Sequence, residues 1–469
     1  MTSSRRSGLR LVLGVAALVA VVAGLFLALS RNVQRAVEVR AMDAIVAAAK
    51  SRMEASEGGS RAADFINIPI VARELAPGIH QATGVGNVHV IVTDEGDVVF
   101  DTGLSLQAAK QRAVLEAAIP DLGVDRVILS HSHADHASGT RVWADEGVEV
   151  IAHVEFPEEQ RYLKQLEPYL HGRNRVLFPF IPEEPPDFGP LAYGGVEPTR
   201  LVSDGQPYVF EQGGVRFEVI GAPGAEGADN LVLWLPEQKI LLSGDFFGPL
   251  FPQFPNVFTM RGEKVRKPIE YVRSLDLVIA LEPEMIVPSH KDPIEGRERI
   301  RADLVRMRDA VQYVHDETVA GMNAGKTVHE LMAEITLPPE LELSQAHGKV
   351  SWAVRSIWEY YATWFHFDDT TELYPVPERA VWGDVVDAAG VDALVAKAQA
   401  HVERSEPVHA LHLLKMVVDS GHANVAALDA QQRALEMLLE AAEAGAQNSY
   451  ETDWLKAQLR RTDAMRAWL

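Results

Sequence analysis

Between positions 131 and 136 the chain reads His131-Ser132-His133-Ala134-Asp135-His136, three imidazoles and a carboxylate in six residues. Nitrogen and oxygen ligands at this density suit zinc or a similar divalent cation, whereas a solvated loop gains nothing from three histidines. The apolar run Val127-Ile128-Leu129 predicts a strand leading in, and Ser138-Gly139 predicts a helix start just beyond. The six residues are thereby confined to a tight strand-to-helix connection. Alternation turns His131 and His133 toward one ion and Asp135 and His136 toward another, so a two-metal site is expected.

Two ions need more ligands, and three later strand ends offer them. Glu226 follows the strand Phe217 to Ile220 and is placed to complete the shell of the His131/His133 ion, with Asp229 as its competitor. Asp245 follows Ile240-Leu241-Leu242, where a carboxylate can bridge both ions. His290 ends the apolar run before Pro288-Ser289 and offers an imidazole to the Asp135/His136 ion. Asp101, at the end of Val98-Val99-Phe100, reads better as an acceptor that orients a ligand from behind.

At 469 residues the chain is too long for one ordinary core, so two or three domains are expected. Hydrophobic content of 47% marks globular material. A formal net charge of −22 argues against a nucleic-acid partner, and it means that an anionic substrate needs a local cationic docking point. The absence of cysteine excludes disulfides and thiolate zinc sites.

Residues 11 to 30 carry no charge, enough to cross a bilayer as a helix, and Arg5, Arg6 and Arg10 precede them. This stretch reads as an uncleaved anchor or as an export signal ending near Ala28-Leu29-Ser30; a buried soluble helix is the plainer alternative. Ser4-Arg5-Arg6 resembles a twin-arginine signal, although Gly8 stands where an aromatic is preferred. Both membrane-directed readings place the rest of the protein outside the cytoplasm.

From Ile66 to about Pro293, short apolar runs alternate with helical stretches such as Leu104 to Ala118, which predicts α/β architecture with sheets covered by helices. Residues Arg173 to Gly195, rich in proline and aromatics, read as a loop over the site. Beyond Pro293 the chain turns helical. Val350 to Phe367 carries Trp352, Ile357, Trp358, Tyr361, Trp364 and Phe365 at helical spacing, a pattern that fits core packing or a subunit interface.

Asp101-Thr102-Gly103, the histidine loop, Ser243-Gly244-Asp245 and Ser289-His290 together resemble the metallo-β-lactamase superfamily. That resemblance implies an αββα sandwich with two divalent metal ions, Zn2+ being the expected identity, held by His131, His133, Asp135, His136, Glu226, Asp245 and His290. Most members of the superfamily have a histidine after the Pro223-Gly224 pair, where this chain has Ala225-Glu226. A glutamate there resembles the alkylsulfatase branch. So does Thr259-Met260-Arg261-Gly262-Glu263-Lys264-Val265-Arg266, which implies that Arg261 holds a sulfate, with Asn256 upstream as a second substrate contact. His347 to Trp358 with Trp364-Phe365 resembles that branch's helical dimerisation domain. The branch usually has glutamate at the place of Asp245, and its asparagine- and histidine-rich segment is replaced here by Phe246 to Pro255.

The resulting division is 1–35 as signal peptide or membrane anchor, 36–63 as helical spacer, 64–296 as the catalytic αββα domain, 297–430 as a helical dimerisation domain and 431–469 as terminal helices. The expected chemistry is hydrolysis of a small anionic ester, an alkyl sulfate, by a homodimer. A metal-bound water has a pKa of about 7, which provides hydroxide at neutral pH. Asp135 and Arg261 are the expected catalytic residues, with Lys264 or Arg266 assisting Arg261. Two alternatives stand beside this: a two-metal hydrolase of a lactone, thioester or phosphoester, and a membrane-tethered metal-binding interaction protein without turnover.

Overall fold

The computed structural model describes Arg40 and residues 68–469, apart from 179–180, 182–194, 225 and 258–259. The divisions 1–35 and 36–63 therefore lie outside the described residues, save Arg40, as does most of the 173–195 loop. Two sheets form the amino-terminal half. The first contains β1 (Ala72–Ala76), β2 (Ile79–Ala82), β3 (Val88–Ile91), β4 (Asp97–Phe100), β5 (Val124–Ile128), β6 (Glu149–His153) and β7 (Arg200–Val202), side by side in chain order. The second contains β8 (Tyr208–Gln212), β9 (Val215–Gly221), β10 (Leu231–Leu235), β11 (Ile240–Gly244), β12 (Met285–Pro288) and β13 (Ile294–Glu295), in the order 13-12-11-10-9-8.

Phe100, Ile128, Ile151, Phe217, Leu233, Leu242 and Val287 form the core between the sheets. Each sheet also buries its outer face. The first is covered by helix α1 (Ser105–Ala118), the short helices α2 (Ala134–Ala137) and α3 (Thr140–Trp143), and α4 (Phe156–Gln165), whose Leu115, Trp143 and Phe156 join Val99, Val127 and Val150. Helix α5 (Glu167–Leu177) follows α4. The second sheet is covered by α6 (Pro268–Leu281), α7 (Arg297–Asn323) and, after α8 (Val328–Glu334), α9 (Val350–Ala362). Strands covered on both faces read as unbroken apolar runs, and Leu231–Leu235 is buried along its whole length. The layers are the αββα sandwich that the sequence led us to expect.

The remaining helices, α10 (Trp382–Ala389), α11 (Val391–Glu403), α12 (Pro407–Asp419), α13 (Val425–Ala444) and α14 (Ser449–Arg466), pack as neighbours with a core of their own through Leu394, Leu414, Val417 and Ala434. The aromatic run at 350–367 divides: Ile357 is buried, whereas Trp364 is 70% and Phe367 87% exposed. No helix among the described residues is long and apolar enough to cross a membrane.

One local expectation is extended and one needs correction. A first short helix already starts at Ala134, inside the histidine loop, because the His133 carbonyl accepts from His136 N at 3.1 Å and Ala137 N at 3.0 Å; the helix start expected at Ser138-Gly139 follows as α3, with Gly139 as its N-cap. Residues 173–177 are the last turn and more of α5 rather than loop.

Candidate metal and anion site

Strand direction brings the ligands together. β4 runs parallel to β5 and β11 parallel to β12, so the residues leaving all four strands emerge on one edge of the sandwich. The Leu231 N–H donates to Ser130 O at 2.7 Å and ties one sheet to the other at that edge. Gly244, with φ of 55°, makes the turn into Asp245; a Cβ there would stand 2.4 Å from the Ser130 side chain. Gly86 lets the neighbouring loop approach Asp135, since a Cβ would stand 2.0 Å from the Asp135 carbonyl oxygen.

Asp101 sits under the ligands, fully buried and in the left-handed region at φ 59°. Its Oδ1 accepts from Ser130 N at 2.8 Å; its Oδ2 accepts from Ser130 Oγ at 2.9 Å, Ser289 Oγ at 2.6 Å and His136 Nδ1 at 2.8 Å. Holding His136 by Nδ1 leaves Nε2 facing the site, the arrangement by which a carboxylate fixes a metal-binding imidazole. Ser130 Oγ is 3.0 Å from His131 Nδ1 and turns that ring's Nε2 the same way.

The seven sequence-derived metal ligands lie around one edge, and one group is the expected Asp135, His136 and His290, while His136 also approaches His131 and Asp245. His131, His136 and Asp245 present ligand atoms within 4.8 Å of one another, and so do Asp135, His136 and His290. Asp245 Oδ2 lies 3.0 Å from His290 Nε2 and 3.4 Å from His136 Nε2, so it stands between the two groups. The helical turn beginning at Ala134 brings His136 back toward Asp101 and the strand ends, between the two groups. His131 Nε2 is 2.8 Å from His133 Nδ1. Glu226 Oε2 is 3.9 Å from His133 Nδ1, on the His131/His133 side, while it accepts from Arg266 Nη2 at 2.9 Å. Its competitor Asp229 is buried among Ser132, Glu226 and Lys264 at the edge of a separate polar cavity, where burial, aided by Glu159, pushes its carboxyl up to about 6.

These residues suit divalent cations. His136 Nε2 and Asp245 Oδ1 are buried with no hydrogen-bond partner among the described residues, a costly state for polar atoms unless something binds them. Burial opposes charge on His136, yet Asp245, Asp135 and Asp101 outweigh it and hold its pKa well above the usual histidine range. For Asp245, burial is outweighed by His290 and His136, which keep the carboxyl well below the usual range. Burial, with His136 and His133 nearby, pushes His131 well down, leaving it neutral as a ligand must be.

A cavity of about 270 Å³ opens over this cluster, lined by His133, Asp135, Glu226, Asp245, His290 and Arg261. Arg261 pairs with Glu263 Oε1 at 2.8 Å. The other expected anion contacts are elsewhere. Asn256 does not line this cavity; it is buried and offers its carbonyl to Arg266 Nη1 at 2.9 Å. Arg266 is spent on Glu226 and Glu263, and Lys264 on Glu159 at 2.8 Å and Glu158 at 3.4 Å. Nearness in sequence did not translate into shared partners, because the chain turns at Met260-Arg261 and again at Gly262, where φ is 99°.

Three residues at the site escaped the sequence reading as site residues. Glu263 joins Arg261 and Arg266 (2.8 Å each) and lies 3.3 Å from His133 Nε2. A carboxylate flanked by two arginines within six residues was the available signal. His347, pushed down to about 4 by burial, is 4.0 Å from Glu226 Oε1. Tyr450, on α14, lines the cavity from the helical half. For these two no local pattern exists.

Residues 82–290 match the metallo-beta-lactamase superfamily, and residues 327–458 match the family described as alkyl sulfatase dimerisation. A linear primary-alkylsulfatase from a Pseudomonas strain is 31% identical over 310 residues, covering 61% of this chain and 58% of that protein. An (R)-specific secondary-alkylsulfatase from Pseudomonas sp. is 26% identical over 396 residues, covering 78% and 59%. The chain thus spans about three fifths of the length of these curated relatives. Among solved structures, the stereoselective inverting sec-alkylsulfatase Pisa1 from Pseudomonas sp. superposes with a TM-score of 0.71 at 23% identity, over 84% of this chain and 66% of the other, and shares the fold.

Proposed function

From a chain that joins a metallo-beta-lactamase domain to an alkyl sulfatase dimerisation domain, we infer a metal-dependent hydrolase of alkyl sulfate esters. The observation that carries this reading is Arg261, which shares one cavity with Asp135, Asp245 and His290. A cation beside a metal-ligand cluster, in a chain of net charge −22, is the local docking point that an anionic ester requires.

We assign His131, His133 and Glu226 to one divalent ion, Asp135, His136 and His290 to a second, and Asp245 to both, with Zn2+ as the expected metal. When bound, such ions supply a water acidified to near neutral pH. Asp101 fixes His136 by accepting from Nδ1 at 2.8 Å, and Glu263 faces His133 Nε2 at 3.3 Å. Asp135, 3.5 Å from His290 Nε2 and in the cavity wall, is placed to accept a hydrogen bond from the attacking water. Arg261 holds the sulfate by charge-assisted hydrogen bonds and offsets the charge that grows on it as the ester bond breaks.

The same proposal includes a homodimer, supported by the exposed aromatics Tyr361, Trp364, Phe367 and Tyr374 within the segment that matches the dimerisation family. It also places the catalytic part outside the cytoplasm, supported by the uncharged run at 11–30.

The test is sulfate release from a primary and a secondary alkyl sulfate by metal-loaded protein, with chelated protein as control. Metal-dependent release is expected, and isotope-labelled water then reports which bond breaks. Absence of release from fully metallated protein that still hydrolyses a lactone or phosphoester overturns the sulfatase reading.

A further inference from the structure

One wall of the cavity over the metal ligands comes from the other end of the chain. Ser449, Tyr450 and Asp453, in the first turns of α14, line it together with Arg261. Asn448, fully buried, fixes this helix start: its Nδ2 donates to Gln345 O at 3.0 Å and His347 O at 2.9 Å, while its Oδ1 accepts from Tyr450 N at 3.1 Å and Glu451 N at 3.3 Å. Ser449 N donates to Ala346 O at 3.2 Å, and Lys349 Nζ pairs with Glu451 at 2.6 Å. The Tyr450 ring is consequently held between His347 and Phe178, with centroids 5.4 and 6.4 Å away. It is only 7% exposed.

We propose that Tyr450 is a substrate-positioning residue whose phenolic O–H donates a hydrogen bond to the sulfate group held by Arg261. The proposal rests on the alkyl sulfate reading and adds to it a contact from the helical half. Glu226, Asp135, Asp245 and Asp453 put four carboxylates in the cavity wall. A further cation there would be drawn into an ion pair, as Arg266 and Lys264 are nearby. A neutral O–H adds a bond to the anion without that competition. Burial raises the Tyr450 phenol above its ordinary pKa, against the pull of Arg261, so it keeps its proton.

The experiment compares wild type, Tyr450→Phe and Tyr450→Ala as metal-loaded full chains. Steady-state kinetics are measured on an alkyl sulfate, with inorganic sulfate as competitive inhibitor and as calorimetric ligand. Removing one hydrogen bond to a charged group is expected to raise KM and weaken sulfate about tenfold in Tyr450→Phe, with metal content and melting temperature unchanged. Equal sulfate affinity in wild type and Tyr450→Phe overturns the proposal. If only Tyr450→Ala is impaired, the ring merely packs, and the proposal fails as well. If wild type binds sulfate but hydrolyses no alkyl sulfate, the functional reading fails, while the Tyr450 contact is still decided by the two sulfate affinities.

Discussion

Around Asp101 the site is built by strand ends and the short helix that follows one of them: one fully buried carboxylate accepts four hydrogen bonds, from Ser130 (two) after β5, Ser289 after β12 and His136 in α2. Around Glu263 it is built by connections: Arg261, Arg266, Glu226 and His347 arrive on loops, and Tyr450 on a helix from the far half. The strand-end side is dictated by the sandwich and serves metal binding in general. The loop side holds Arg261, the arginine in the cavity wall among the described residues, and adds Glu226 to the ligand cluster. Loops carried by a rigid scaffold thus complete a cluster that the strand ends begin.

Substitutions on the two sides should separate. Arg261→Ala, on the loop side, is expected to lower kcat/KM for an alkyl sulfate by roughly 10²–10³ while leaving metal content intact. Metal loss in that variant, seen by elemental analysis, would erase the distinction between the two sides. Beneath the strand side, His89 is fully buried beside Gln81 and Phe100, and burial pushes it down to about 4 from an ordinary 6.5. Above pH 6.5 it is neutral in folded and unfolded chains alike. As pH falls from 6.5 to about 4 only the unfolded chain gains the proton, so stability drops by about 3 kcal/mol over that interval. Urea titrations of metal-free protein should show the drop in wild type and a flatter profile in His89→Gln.

Asp101→Asn should weaken metal affinity by about a hundredfold, the upper end for a residue that orients a ligand, because all four contacts converge on it. A chelator competition measures this. Glu263→Gln should cost about tenfold, confined to the ion nearest His133, since the amide oxygen can keep the contact to one arginine and only His133 among the ligands faces this side chain. Loss of both ions in Glu263→Gln would show that the loop side also supports the strand side.

Much of this arrangement was readable from sequence, for reasons that differ by residue. His131, His133, Asp135 and His136 declare themselves because they crowd one turn. Asp101, Asp245 and His290 were found because a polar residue at the end of a buried apolar run has few structural reasons to be there. Glu226 stands out by its place just after the strand Phe217 to Ile220, with Asp229 as its competitor, and it lies 3.9 Å from His133. Asn256 is buried outside the lining of the cavity among the described residues, since its position upstream of Arg261 says nothing about side-chain direction in an irregular segment. Ser138-Gly139 does precede a helix, α3, whereas the single turn at 134 and the last turn of α5 carry no sequence signal strong enough to set them apart from loop. Tyr450 and His347 reach the site only by tertiary packing, which has no local period to detect.

The lock at Asn448 also sets an order of events during synthesis. A ribosome completes the histidine loop and the four strand ends long before it reaches Tyr450, so the nascent sandwich owns its ion-binding groups while one wall of the cavity has still to be made. Any ion taken up by the strand-end cluster can therefore be captured before the Tyr450 wall of the cavity exists.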